Sequence, residues 1–291
     1  MALVKFWGVR GSISTPGPST VRYGGNTSCV SIEVQNNLFI LDAGTGIRLL
    51  GNELMRKKQP VNANIFISHM HWDHIQGIPF FKPAFVKGNS FNIYGPKDTE
   101  KGLSKILADQ MNPTYFPVEL SDMGSKLTFK TLVEGQYTIA GISLECLYVN
   151  HPGNALGYKF IIDGKAIVYI SDNEPFPSAL NHPISSSEAV IGEDGSEKLV
   201  DFIENADILI HDAQYTWKEY QNKVTWGHSP IDYTVDIGAR ADVHRLVLFH
   251  HDPMHDDSTI DKLLSYAREK SMELNPSMKI YAASEGLELY I

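Results

Sequence analysis

Cysteine is scarce: Cys29 and Cys146 are the two in 291 residues. That excludes a disulfide framework and a metal site built from thiolates alone, so both read as buried, inert thiols. Long apolar runs are missing too. No stretch approaches the ~18 residues needed to cross a bilayer, and the start, MALVKFWGVRGS, lacks the ~7 to 15-residue apolar core of a signal peptide. The expectation is a soluble, cytoplasmic protein with no membrane partner. Positive charge is also in short supply, with 25 Lys+Arg against 34 Asp+Glu and a formal net charge of −9. Such a balance opposes the attraction on which non-specific nucleic-acid binding depends. Repeats, low-complexity tracts and linkers are absent, so residues 1–291 are expected to form a single domain.

What is present is a globular composition, 43% hydrophobic and 20% charged, able to bury a large core. β-like runs come first: ALVKFW, SCVSIEV and NLFILD, the last passing into Asp42-Ala-Gly-Thr-Gly46 and a helical pattern over 47–57. A strand over 63–68 runs directly into His69, and a helix can begin between Asp73 and Gly77. Further along, the pattern predicts a helix over 99–110, strands near 126–131 and 142–149, and a hairpin whose Asp163-Gly164 suits a type I′ turn. Strand 207–210, helix 231–241, strand 245–249, helix 258–270 and strand 278–282 follow. Strands that precede the first helices and then alternate with helices suggest an α/β fold with two sheets covered by outer helices, a four-layer αββα arrangement.

Eleven histidines are the unusual count, and their placement is uneven. Ser68-His-Met-His-Trp-Asp-His74 offers four candidate ligands, His69, His71, Asp73 and His74. Two residues apart at a strand end, His69 and His71 can point the same way, while Asp73 and His74 turn onto the next helix. Nitrogen-rich sites with some carboxylate suit zinc or a similar transition metal. His151, Asp172 and His250 each follow a separate apolar run, where loops can bring distant residues onto a rigid base. Singly, each would be an ordinary loop histidine or a turn aspartate; as a set with the 69–74 box they point to metal chemistry.

These residues resemble the metallo-β-lactamase fold superfamily, whose H-x-H-x-D-H signature is matched by His69, His71, Asp73 and His74, with further motifs matched in order by Asp42, His151, Asp172 and His250. FWGVRGS, GGNTSC at 24–29, HDAQ at 211–214 and Gly227-His228-Ser229 are similar to the ribonuclease Z and metal-dependent phosphodiesterase branch. The resemblance implies a metallo-β-lactamase fold sandwich that holds two divalent transition-metal ions, zinc first, with manganese or iron as alternatives. His69, His71 and His151 would hold one ion, Asp73, His74 and His250 the other, and Asp172 would bridge them, Asp73 also counting as catalytic. Such a pair, ~3.5 to 4 Å apart, can share a hydroxide and lower the pKa of bound water towards ~7. Asp42 would brace the histidine box, the alternative being a helix cap. His228 would protonate the leaving oxygen. His211 reads as packed, His251 as a poorer ligand than His250, and His182, His244 and His255 receive no role.

In that branch the tRNA-processing enzymes carry a long arm between the motifs matched by His151 and Asp172. Here residues 152–171 alone separate them, and the hairpin uses nearly all. A small phosphodiester such as a cyclic nucleotide is therefore the expected substrate, ahead of nucleic acid; a homodimer is compatible with the sequence. Residues 81–130, with Lys82, Lys87, Lys97 and Lys101, offer a candidate substrate wall, against the more ordinary reading of a solvated surface. Competing readings are a tRNA 3′-processing endoribonuclease, an acyl or thioester hydrolase, and a non-catalytic metal-binding protein.

Overall fold

The computed structural model describes residues 1–97, 102–176 and 196–291. Thr99 and Lys101, at the expected start of one helix, and His182 lie outside the described residues. Two compact units emerge, Met1–Val133 with Ser284–Ile291, and Glu134–Ala283. Among the described residues each contains one seven-stranded sheet. The mixed α/β architecture with two sheets expected from the sequence is thus present.

In the first unit the strands run in the order Glu288–Tyr290, Ala2–Gly8, Cys29–Val34, Asn37–Leu41, Asn62–Phe66, Ser90–Pro96 and Lys126–Leu132. The first three pairings are antiparallel, and from Asn37–Leu41 onward neighbours are parallel. Helix Ile47–Arg56 buries Ile47, Leu50, Gly51 and Leu54, the i, i+3, i+4, i+7 stripe of an amphipathic helix. That stripe joins Trp7, Ile40, Ile65, Phe81 and Phe91 in the unit's core.

The second unit orders its strands Lys279–Ala282, Arg245–Phe249, Ile208–Asp212, Lys165–Ile170, Leu156–Ile162, Ile142–Tyr148 and Gly135–Ile139. Asp163 and Gly164 have φ of 50° and 78°, the pair of left-handed residues that a type I′ turn requires, and Ile162 pairs with Lys165. Parallel pairing links Lys165–Ile170, Ile208–Asp212, Arg245–Phe249 and Lys279–Ala282, and the inner strand Ile208–Asp212 is buried throughout, as parallel strands demand. Helices Ile231–Arg240 and Asp257–Leu274 pack on each other. Asp256 caps the longer one by accepting the Thr259 N–H at 2.7 Å.

Both units place chain reversals at the C-terminal ends of parallel strands, where Asp42 (φ 59°) and His250 (φ 58°) adopt the left-handed region. Non-glycine residues rarely sit there, and such positions gather at functional sites. No helix among the described residues is long and apolar enough to cross a membrane. Both cysteines are buried and free. Burial pushes the Cys146 thiol up to about 12, and burial together with the Asp42 charge holds the Cys29 thiol well above its ordinary value. At pH 8 the native protein should therefore show no fast reaction with Ellman's reagent and should release both thiols in denaturant; a rapidly titrating thiol in the native state would contradict this burial.

Candidate metal centre

In the first unit, strand Asn62–Phe66 delivers the chain through Ile67 and Ser68 into His69, and a single helical turn, Trp72–Ile75, carries Asp73 and His74. His69, Asp73 and His74 are buried, while His71 is exposed. The rings of His69 and His71 lie 4.4 Å apart and those of His69 and His74 4.2 Å apart, centroid to centroid. Asp73 Oδ2 stands 3.2 Å from His74 Nε2 and accepts the Ser12 N–H at 2.7 Å. The box thus folds into one cluster of donors.

Asp42 organises that cluster. It leaves strand Asn37–Leu41, the parallel neighbour of Asn62–Phe66, and is fully buried. Its Oδ1 accepts the Ser68 N–H at 2.7 Å, and its Oδ2 accepts the Ser68 O–H at 2.8 Å and faces His74 Nδ1 at 2.7 Å. Ser68 Oγ lies 3.1 Å from His69 Nδ1. Helix Ile47–Arg56 begins at Gly46 without a side-chain cap, so the helix-cap alternative for Asp42 is excluded and the bracing role stands. A carboxylate that takes the Nδ1–H of an imidazole leaves Nε2 as a lone pair for a metal.

In the second unit His151, Asp172 and His250 follow strands Ile142–Tyr148, Lys165–Ile170 and Arg245–Phe249. His228 precedes helix Ile231–Arg240. All are buried. Asp172 Oδ2 lies 4.0 Å from His151 Nε2 and 3.6 Å from His228 Nδ1, and its Oδ1 lies 3.5 Å from His250 Nε2. One donor atom from each of His151, Asp172 and His228 falls within 4.8 Å of the others, as does one from each of Asp212, His228 and His250. The pattern of the first unit recurs: His151 Nδ1 donates to the Gly227 carbonyl at 2.8 Å, and His250 Nδ1 lies 3.3 Å from Gln214 Oε1. The Nε2 atoms of both rings face Asp172.

Sequence reasoning quoted HDAQ at 211–214 without giving Asp212 a role, and the structure supplies one. Fully buried at the end of strand Ile208–Asp212, it faces His228 Nδ1 at 3.0 Å and accepts the N–H groups of Asn173, Ser229 and Gln214. The signal was available, since Asp212 ends a buried apolar strand just as Asp172 follows one. Glu174, also unassigned from the sequence, takes up the loop before His228.

The remaining described histidines have other partners. His211 is packed: its Nδ1 sits 2.7 Å from the Asp212 carbonyl, and burial lowers its pKa. His251 faces the Ala283 carbonyl through Nε2 at 2.9 Å, His255 pairs with Glu219, and exposed His244 lies 3.6 Å from Asp207. Tyr215, whose ring is 5.8 Å from that of His228, is kept a neutral phenol by burial and then by Asp212 and Asp252.

The donor chemistry fits a divalent transition metal. It is made of nitrogen and carboxylate oxygen, with the imidazoles oriented through Nδ1. Replacing Asp42 by alanine would remove the buried acceptor that the Ser68 N–H and the His74 Nδ1–H share. Urea unfolding of the metal-free Asp42→Ala protein should show a loss of about 2 to 5 kcal/mol. A midpoint equal to that of the parent would show that this brace carries no stability.

Comparison with known proteins places this arrangement. The family described as "Beta-lactamase superfamily domain" matches residues 37–251. A ribonuclease Z of Picrophilus torridus is 24% identical over 311 residues, covering 91% of this chain and 90% of that protein. Among solved structures, the metallo-β-lactamase fold protein YhfI of Bacillus subtilis has a TM-score of 0.69 at 17% identity, with full coverage of both chains. A diphosphatase of the PhnP family has a TM-score of 0.66 at 16% identity, covering 100% of this chain and 98% of the other. These structural likenesses show the fold. With the family match spanning most of the sequence, the chain belongs to the β-lactamase superfamily.

Proposed function

We propose that the chain is a two-metal phosphodiesterase acting on a small phosphodiester such as a cyclic nucleotide, with residues 1–291 working as one hydrolase domain in the cytoplasm. At its coarser level the reading is that of a metal-dependent phosphodiester hydrolase. The observation that carries it is the Asp212–His228 pair beside imidazoles oriented through Nδ1 and gathered around Asp172. His69, His71 and His151 are assigned to one ion, Asp73, His74 and His250 to the other, and Asp172 to both. The two oxygens of Asp172, one toward His151 and one toward His250, support that assignment.

When bound, the ions, zinc in this reading, supply an activated water and offset charge on the phosphate. The chain's own groups handle the protons. The Asp73 carboxylate can accept the proton of the attacking water. Asp212 holds His228 through Nδ1, so Nε2 is the nitrogen that can deliver a proton to the leaving oxygen. The hairpin Leu156–Ile162 and Lys165–Ile170 fills the interval between His151 and Asp172, which supports a small substrate. The likeness to a diphosphatase of the PhnP family is compatible with it.

A second reading, tRNA 3′ processing, is favoured by the name of the ribonuclease Z relative, which aligns over nearly its whole length. Cleavage of a precursor tRNA, compared with bis-p-nitrophenyl phosphate and cyclic nucleotides, separates the two. Turnover of nitrocefin or a thioester in place of phosphodiesters would overturn both.

Metal analysis of the replete protein should find about two ions per chain, because the assigned ligands are too many for one four-coordinate ion. One tightly held ion, with no second anomalous peak in crystals, would contradict the assignment. The 4.8 Å grouping of His228 with His151 and Asp172 also admits it as a ligand, and His228→Ala decides. With His228 as the acid, the variant should keep both ions and lose roughly 10²- to 10⁴-fold in rate on a cyclic nucleotide. The loss should be far smaller on bis-p-nitrophenyl phosphate, whose leaving group needs no proton. Loss of an ion would make His228 a ligand.

A further inference from the structure

We infer that Glu174 is a positioning residue: its buried carboxylate clamps the 225–228 loop and thereby sets which ring nitrogen His151 presents and where His228 stands. The kinetic side of this inference rests on the phosphodiesterase reading; the part concerning His151 does not. Glu174 lies two residues beyond Asp172 and is buried. Its Oε1 accepts the Tyr220 O–H at 2.8 Å and the Thr225 N–H at 2.6 Å, and its Oε2 accepts the Gly227 N–H at 2.9 Å. A buried carboxylate is tolerated only when such donors surround it, and here they come from one loop and the helix that leads into it.

The clamped backbone is one that would not hold itself. Thr225, β-branched, has a φ of 76°, a region such residues avoid, and Gly227 has a φ of 86°. A Cβ at 227 would stand 2.2 Å from His151 Nδ1, so the loop approaches the imidazole as closely as a backbone can. In that position the Gly227 carbonyl accepts the His151 Nδ1–H at 2.8 Å. The other side of the bond is tied to the same residue: the Glu174 N–H donates to the Asn150 carbonyl at 2.7 Å, and Asn150 Nδ2 donates to the Glu174 carbonyl at 3.1 Å. Glu174 therefore holds both partners of the bond that leaves Nε2 of His151 as the lone pair. Beyond Gly227 the loop enters His228, and Ser229 Oγ donates to the Asn173 carbonyl at 2.6 Å, closing the circuit beside Asp172.

Glu174→Gln tests this, since the amide keeps the shape but sets an N–H₂ against backbone N–H donors. The metal-free protein, labelled with ¹⁵N-histidine and held above the imidazole pKa range, reports the tautomer through long-range ¹H–¹⁵N spectra; the His151 signals are assigned by their loss in His151→Gln. The parent should show the Nδ1–H form and Glu174→Gln a mixture. Zinc affinity, read by competition with a chelating dye, should fall about 10- to 100-fold, the usual effect of removing a group that orients a ligand. Tyr220→Phe removes one donor while leaving both backbone clamps, so it should lower the melting temperature with tautomer and zinc affinity retained. An unchanged His151 tautomer and unchanged zinc affinity in Glu174→Gln, with only a lower melting temperature, would overturn the inference. If Glu174→Gln fails to fold, the same two readings on Glu174→Asp decide: a partial shift supports the inference and parental values overturn it. A shifted tautomer in a protein whose parent shows no phosphodiesterase activity would sink the proposed function and leave the positioning role standing.

Discussion

An imidazole has two nitrogens, and a histidine can serve a metal or a proton reliably only when something decides which of them is free. That constraint runs through both units. His74 gives Nδ1 to Asp42, His151 to the Gly227 carbonyl, and His228 to Asp212, while His250 and His69 set theirs near Gln214 and Ser68. Each acceptor is placed by a strand end or by a loop tied to one, and Asp42 and His250 both stand in left-handed turns at such ends. Fixing the tautomer in the fold means that no ring has to be reoriented when a ligand arrives.

The acids follow a related logic. Asp42, Asp212 and Glu174 are buried carboxylates, and each is surrounded by N–H or O–H donors that belong to the loops it organises. Burial without such donors would cost several kcal/mol and would shift the group towards its neutral form. Asp172 has a different environment, facing the imidazoles of His151, His228 and His250 at 3.5 to 4.0 Å. A carboxylate among ring nitrogens is suited to a cation, and a bound cation reverses the local electrostatics even in a chain whose net charge is −9. Global charge and local affinity for phosphate are therefore separate questions.

Much of this was legible in the sequence because it is written in local patterns. The 69–74 box, the strand ends at His151, Asp172 and His250, and the Asp163-Gly164 hairpin depend on neighbours in the chain, and the residues stand where expected. Strand Arg245–Phe249 matches its expected bounds, and helix Asp257–Leu274 runs a turn past its expected end. Less legible were elements with no apolar period. Gly135–Ile139 is a largely exposed edge strand, and the single turn Trp217–Tyr220 is held by the reciprocal Thr216–Glu219 cap rather than by a hydrophobic stripe. Asp212 had a signal in its place at the end of a buried apolar strand, whereas Glu174 had none, because its partners Tyr220, Thr225 and Gly227 are distant in sequence and a carboxylate that acts by accepting backbone N–H groups leaves no motif. The choice between brace and cap for Asp42 likewise needed the fold, because both roles favour an aspartate ahead of a glycine-rich turn.

The superfamily's scaffold supports many chemistries, so substrate class must be argued from what surrounds the donors and not from the fold. The interval between His151 and Asp172 is informative in that respect. Two antiparallel strands joined by a two-residue turn occupy it, with Tyr169 paired to Tyr158 near one end and Lys165 to Ile162 at the other. Every residue between the strands is committed to the turn, and the strands themselves are inner members of the sheet, paired on both edges. An extended substrate-gripping arm cannot be drawn from such a segment without unpairing the sheet that carries Asp172. Any long reach toward a large substrate would have to come from elsewhere in the chain. A small phosphodiester asks for no such reach, only for ligands and a proton donor held in place, and the hydrogen-bond circuit through Asp212, Glu174 and Gly227 is built for holding residues in place.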